Sequence, residues 1–374
     1  VGSVMRPVTD EHKVSRAKLA YLIDATAAPV CIIAPISSWA AAVSGFVKGE
    51  DGLALFVRAI PYNFYAILTI VMMVAMVLLK VEFGSMAKHE KNAMNGDLFS
   101  MGDRTQNIQE DEKGSEKGKV IDLIIPIVCL VICCVIGMVY TGGIFKGVDF
   151  VTAFSNSDAS VGLAIGSFFG LVITIILYMI RRVLPFKKCM DCLVDGFRAM
   201  VPAILILTMA WTLKSMTDSL GAKEFVAASM KSVAGDFMSL LPAIIFLVAC
   251  FLAFATGTSW GTFGILIPIV VAVFENSNYE LMIISISACM AGAVCGDHCS
   301  PISDTTIMAS AGAECDHVNH VSTQLPYAMV AATVSFVAFF IAGFVRNAWI
   351  VMPLAIAMMI GVLVIIKFVL KSKE

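Results

Sequence analysis

Gly296-Asp-His-Cys-Ser-Pro-Ile-Ser-Asp-Thr-Thr306 follows an apolar run over 281–297, and the chain turns apolar again at once as Ile307-Met-Ala-Ser-Ala311. Two carboxylates, a histidine and several hydroxyls therefore stand inside an apolar stretch with no polar spacer behind them. Pro301 has no amide hydrogen to give and its ring clashes with the preceding turn, so the pattern predicts a helix broken within 281–313. An ionised aspartate at the bilayer centre costs about 2.5 to 3.5 kcal/mol on insertion scales, which directs such residues towards internal polar cavities and ion paths. Asp297 and Asp304 are accordingly the first candidates for chemistry. The bland alternative is a helix that ends near Cys295 and an aqueous loop after it, with Asp297 and His298 as ordinary solvated residues.

Working outward, the whole chain supports a lipid setting. Of 374 residues, 59% are hydrophobic and only 14% charged, with a mean hydropathy of +0.88, against about 25% charged in soluble domains. A net charge of -2 leaves no basic surface for phosphate contacts, so nucleic acid is not expected as a partner. Apolar stretches approaching the ~20 residues that cross a bilayer run at 27–47, 61–80, 120–140, 161–180, 198–216, 238–256, 262–276, 281–297, 321–345 and 348–370. The predicted fold is an all-α polytopic membrane protein with about ten transmembrane or re-entrant segments, some of them broken.

One polar insert, 81–119, interleaves Lys88, Lys91, Arg104, Lys113, Lys117 and Lys119 with Glu110, Asp111 and Glu112, and reads as a solvated cytoplasmic loop. It divides the chain into 1–80, the remainder of a first repeat, and 120–374, a second repeat with the hairpin and the broken helix. Arg181, Arg182, Lys187 and Lys188, with the tail lysines Lys367, Lys371 and Lys373, orient the chain: both clusters belong in the cytoplasm of a multi-pass cell-membrane protein.

The repeat is weak. Asp10-Glu-His-Lys-Val-Ser-Arg-Ala-Lys-Leu-Ala-Tyr21 aligns with Asp316-His-Val-Asn-His-Val-Ser-Thr-Gln-Leu-Pro-Tyr327, a membrane helix following each. Val1-Gly2-Ser3 is no natural start, so the expectation is that the first copy is truncated and the chain is the C-terminal part of a longer protein. Inverted repeats require opposite orientations for 27–47 and 321–345, whereas the loop charges give both the same.

Ala255-Thr-Gly-Thr-Ser-Trp-Gly-Thr-Phe-Gly264 is the second polar interruption. Its glycines permit turns that helices do not, and its hydroxyls and freed carbonyls are hard oxygen ligands suited to an alkali cation. In lipid such backbone persists only where protein or a cavity surrounds it; a small-residue helix contact is the plain alternative. Asp24 with Thr26, ahead of Pro29 and Pro35, marks a third possible unwound element. Asp158, before the 161–180 span, is a further candidate or simply a helix N-cap. Lys214 and Asp218 read as a snorkelling pair.

Two other chemistries are set aside. The 11 cysteines lie mostly in apolar runs (Cys129, Cys133, Cys134, Cys250, Cys289), and the lone Cys189/Cys192 pair falls short of a zinc set, so no transition metal or cofactor is expected. Gly257-Thr-Ser259-Trp-Gly261 matches a nucleophile elbow with Asp297 and His298 downstream, but that elbow needs a strand before its serine, and Leu240 to Ala255 is a membrane-length apolar run. Only an intramembrane serine hydrolase survives of that reading.

At Gly257–Gly264, at Gly296–Thr306 and at Asp24-Ala-Thr-Ala-Ala-Pro-Val-Cys-Ile-Ile-Ala-Pro-Ile-Ser-Ser-Trp39 the sequence resembles the NhaC family of sodium/proton antiporters, within the ion transporter superfamily. The likeness spans most of the chain, is weakest in the insert, and lacks the family's N-terminal part. It implies an elevator-type or related fold of repeats with re-entrant hairpins, and exchange of Na+ for H+; some similar proteins exchange organic anions or amino acids. The expected site is Asp304 or Asp297 binding either a proton or Na+, completed by oxygens of Thr258, Ser259, Ser300, Ser303 and Thr305, with Thr262, Asp24, Thr26 and Asp158 as further transport candidates and His298 tuning pH response. Its expected partners are the lipid bilayer and the two ions, with a homodimer left open.

Overall fold

The computed structural model describes residues 2–35, 37, 39–40, 43, 52–100, 118–119, 121–221, 238–274 and 278–371. Among them are fifteen α-helices and no strand. Six helices are long and apolar enough to cross a membrane: Ile121–Thr141, Ser160–Ile180, Met238–Thr256, Tyr279–Cys299, His317–Val345 and Ala348–Leu370. A bent pair, Ala54–Tyr62 with Phe64–Leu79, meets at 48° and makes a seventh span if counted as one.

The chain divides into two compact units, Val1–Ser100 with Pro202–Glu374, and Met101–Val201. The first contains α1 (Gly2–Glu11), α2 (Arg16–Ile33), α3 (Gly52–Ala59), α4 (Phe64–Leu79) and α5 (Gly84–Met94). The second contains α6 (Ile121–Thr141), α7 (Phe150–Ser155), α8 (Ala159–Ile180) and the start of α9 (Phe186–Ser219). The first unit resumes with α10 (Leu241–Thr256), α11 (Ser259–Phe274), α12 (Tyr279–Cys299), α13 (Asp304–Ala313), α14 (His317–Val345) and α15 (Ala348–Lys371).

Within the second unit, α6 and α8 pack through small residues. A Cβ added at Gly162 would lie 2.8 Å from Met138 Cα, and one at Gly166 2.5 Å from Cys134 Cα. Glycine brings two backbones together where lipid offers no hydrophobic drive.

In the first unit α12 is the centre. Cβ atoms at Gly292 and Gly296 would meet Phe246 O at 2.4 Å and Cys250 O at 2.2 Å, so α10 lies directly on α12. Phe339 of α14 closes another side, its ring 4.8 Å from Phe64 and 5.3 Å from Phe246.

Several boundaries depart from the sequence reading. The segment expected at 27–47 begins earlier, because Ser15 caps α2 by accepting from Lys18 N at 3.1 Å and the alanine-rich run carries the helix through Pro29. Most of 34–51 lies outside the described residues. The 61–80 span is interrupted at Asn63, which caps α4. The insert is not loop throughout: α5 lies within it, with Met86 and Ala93 fully buried. Residues 101–117, and the side chains of Lys214 and Asp218, lie outside the described set. The 262–276 segment is the 16-residue α11, shorter than a full crossing.

Candidate functional site

Two helix interruptions meet at the site. The first is the turn between α10 and α11, where Gly257 adopts φ 63 as the α10 C-cap and its N–H reaches Ala253 O at 2.8 Å. Left-handed backbone at that position suits glycine. The second is the break between α12 and α13 at Ser300–Ser303, where Pro301 cannot continue the ladder and Ser303 caps α13. The two are in contact: a Cβ on Gly257 would fall 2.6 Å from Ile302 O, and Ser300 Oγ donates to Phe254 O at 2.9 Å. His317 Nε2 lies 2.6 Å from Pro301 O, and since a carbonyl only accepts, that nitrogen carries the proton.

Asp297, 1% exposed near the end of α12, lies beside both breaks. Its Oδ2 accepts from Ser259 Oγ, at the start of α11, at 3.1 Å and from Thr305 Oγ1, in the first turn of α13, at 3.3 Å. Its Oδ1 is buried without a hydrogen-bond partner among the described residues. Two helix N-termini thus supply hydroxyls, and their dipoles favour negative charge there. Thr305 Oγ1 also pairs with Ser303 Oγ at 3.0 Å.

The other expected residues distribute unevenly. Asp304 is half-buried in the first turn of α13, its Oδ1 accepting from Thr305 N at 3.0 Å, and its charge, like that of Asp24, bears on Asp297. Thr262 is buried but donates back to Thr258 O at 3.2 Å, and Thr258 is half-buried at the turn. Thr26 faces outward, donating to Leu22 O at 2.6 Å, from an α2 that runs through Pro29 and ends at Ile33; Ala34, Pro35 and Ser37 are not helical and Trp39 and Ala40 are helical again, so the interruption falls at Pro35, beyond Asp24 and Thr26. Asp158, in the second unit, is exposed and caps α8 by accepting from Val161 N at 3.2 Å, as the N-cap alternative held.

Asp24, fully buried on α2, gathers residues that sequence reasoning did not select. Its Oδ2 accepts from Gln324 Nε2 at 2.7 Å and Thr306 Oγ1 at 3.0 Å, with His320 Nε2 at 3.5 Å. His298 belongs to this side: Nδ1 meets Tyr65 OH at 3.1 Å and Nε2 lies 3.9 Å from Asp24 Oδ1. The imidazole is thus directed to Asp24 and Tyr65, whereas Ser259 bonds Asp297 directly, so Ser259 and His298 do not form the nucleophile–base pair of a hydrolase. His320 and Gln324 sit four apart in the polar first turns of a helix that is mostly apolar from Ala328 on, a weak signal; Tyr65 carried none. All 11 cysteines are free, and among the described residues no group of three or more His, Cys, Asp or Glu is arranged for a metal.

A membrane-embedded helical chain whose interrupted helices converge on a buried carboxylate and hydroxyls has the construction of a secondary transporter, not of an enzyme. The sequence profile of the Na+/H+ antiporter family matches residues 19–344, and the chain belongs to that family. This agrees with the NhaC-type resemblance. A Haemophilus influenzae protein described as uncharacterized is 37% identical over 359 residues, covering 92% of this chain and 67% of its own length. The malate-2H+/Na+-lactate antiporter of Bacillus subtilis is 28% identical over 165 residues, 44% of this chain and 35% of that protein. An uncharacterized Na+/H+ antiporter of H. influenzae is 31% identical over 150 residues, 39% of this chain and 31% of the relative. The chain therefore spans about two thirds of the first relative and about a third of the other two. No solved structure matches the chain.

Proposed function

We propose that this chain exchanges Na+ for H+ across the cytoplasmic membrane by alternating access, with Asp297 as the carboxylate on which the two ions compete. One observation carries the reading. Asp297 is buried where the two helix breaks touch, with one oxygen held by Ser259 and Thr305 and the other without a hydrogen-bond partner among the described residues. A lone buried carboxylate charge is costly and calls for neutralisation, either by a proton or by a cation that the neighbouring hydroxyls help to solvate. Each ion excludes the other, which makes exchange obligatory once access alternates.

Asp304 is the second carboxylate of this arrangement, placed nearer the surface on the approach. The loop and tail lysines and arginines support a cytoplasmic C-terminus, and the named activity of the two antiporter relatives supports cation and proton as the ions. In the two-repeat reading, the aligned Tyr21 and Tyr327 are partners, their ring centroids 5.0 Å apart.

The test is flux in proteoliposomes, where an imposed pH gradient should drive Na+ uptake and Asp297→Asn should abolish it at unchanged thermal stability. Undiminished exchange in that variant overturns the assignment. Counterflow with malate and lactate, motivated by the B. subtilis relative, separates an organic-anion substrate from Na+ alone.

A further inference from the structure

Resting on the exchange reading above, we propose that Asp24 and His320 form a second, proton-binding site, distinct from the Asp297 cation site, that carries one further proton per cation exchanged. The two groups come from different helices, α2 and α14, and each is 0% exposed. His320 Nε2 lies 3.5 Å from Asp24 Oδ2, a few tenths of an ångström beyond a strong charge-assisted hydrogen bond. Both His320 ring nitrogens and Asp24 Oδ1 are buried without hydrogen-bond partners among the described residues. Polar atoms left unpaired in the interior are costly, and three of them meet at this one pair.

A proton resolves the deficit. With it, an imidazolium–carboxylate pair, or a carboxylic acid beside a neutral imidazole, satisfies at least one of the orphaned atoms. Without it, the hydrogen bonds to the carboxylate come, among the described residues, from the Gln324 amide and the Thr306 hydroxyl, with the His320 and His298 rings standing farther off at 3.5 and 3.9 Å. The groups facing the pair decide what can bind. From α12 come His298, 3.9 Å from Asp24 Oδ1, and Asp297. From α2 itself comes the unpartnered Tyr21 hydroxyl, with Glu82 beyond it, and α4 contributes Tyr65 through His298. Asp24 thus has amide and imidazole nitrogens around it beside the one Thr306 hydroxyl, where Asp297 has the hydroxyls of Ser259 and Thr305. Amide and imidazole N–H groups repel an alkali cation, so this site selects H+ where the other accepts Na+.

The two sites communicate through named atoms. Gln324 Nε2 donates both to Asp24 Oδ2 and to His298 O, at 2.7 and 2.8 Å. Thr306 Oγ1 is 3.0 Å from Asp24 Oδ2 and 3.4 Å from the Asp297 carbonyl oxygen, and a hydroxyl has a single proton to give. When Asp24 is ionised it claims that proton; when Asp24 is protonated, the Thr306 hydrogen is released to the end of α12 that bears Asp297. Proton binding at one site is thereby felt at the backbone of the other.

The experiment has two arms on the full chain. Infrared difference spectra between low and high pH, in detergent without Na+, should show a buried carboxyl or imidazolium band that disappears in Asp24→Asn, is lost or shifted in His320→Gln and survives in Asp297→Asn. In proteoliposomes, the H+ to Na+ ratio from reversal potentials should fall by one proton per cation in Asp24→Asn and in His320→Gln, with exchange retained. A band unaltered in Asp24→Asn, or an unaltered ratio, overturns the proposal. The infrared arm decides even if the wild-type protein moves no Na+, the outcome that would sink the exchange reading instead.

Discussion

The buried helix α12 and the helix pair of the second unit, α6 and α8, are built from similar material and meet opposite surroundings. Within the spanning window 89% of α12 is buried, against 17% for α6 and 11% for α8, yet α12 has the lowest mean hydropathy of the six spans. Lipid selects for apolar side chains all round, whereas a helix enclosed by other helices is free to carry Ser285, Ser287, Asp297 and His298. Hydropathy alone therefore ranks the functional helix last. Both regions nevertheless use glycine to approach a neighbour, so small residues report packing and only the polar atoms on α12 report chemistry.

The largest effect should come from disturbing that packing. Gly296→Ala places a methyl 2.2 Å from Cys250 O, backbone that cannot turn aside, and should cost about 3 kcal/mol. Gly196→Ala on α9 meets nothing within 4 Å and should gain up to about 1 kcal/mol of helix propensity. Thermal melting in detergent of both variants checks the contrast. Equal melting points would mean that α10 and α12 are not in contact as described.

A smaller effect separates the hydroxyls by what they touch. Ser259→Ala removes one of two hydroxyls on Asp297 Oδ2 and should weaken apparent Na+ affinity roughly tenfold. Ser167→Ala on α8, where an exposed hydroxyl merely returns to Ala164 O at 3.0 Å, should leave affinity and stability unchanged. Sodium dependence of exchange in proteoliposomes measures both, and an unaffected Ser259 variant removes that hydroxyl from the cation shell.

Much of this was legible in the sequence, for reasons that are local. Pro301 announces a break wherever it stands, and Gly257 followed by Thr258 and Ser259 announces a turn and a new helix, so both interruptions could be placed from composition. The long apolar runs at 120–140 and 161–180 were equally plain, because nothing but lipid tolerates them. What sequence could not supply was pairing across distance. Asp24 stood far upstream and its place in mid-helix depends on Ser15 starting α2 early. His320 and Gln324 acquire meaning only when α14 lies against α2. Asp304 and Asp297 looked alike as two acids seven apart, and only packing decides that Asp297 is enclosed while Asp304 stands half-exposed at a helix start.

The least effect should appear at the rim of the core, where Lys18 lies outside every helix able to span. It pairs with Glu82 and, at 3.3 Å, with Glu90, while Tyr327 OH also holds Glu82 at 2.6 Å. Burial pulls the Lys18 ammonium down, but the hydrogen bond and charge of Glu82, with those of Glu90, outweigh it and hold the group above its ordinary value. A group raised in the folded state binds its proton more tightly there than when unfolded. Its contribution is complete below the ordinary lysine value and is lost as pH rises through the higher folded one. Melting temperatures of the wild type and Lys18→Met should therefore differ by a constant, modest amount through neutral pH, and the gap should close in strongly alkaline buffer. A gap that persisted unchanged there would remove the Lys18 charge from the cohesion of the rim and leave Glu82 to Tyr327.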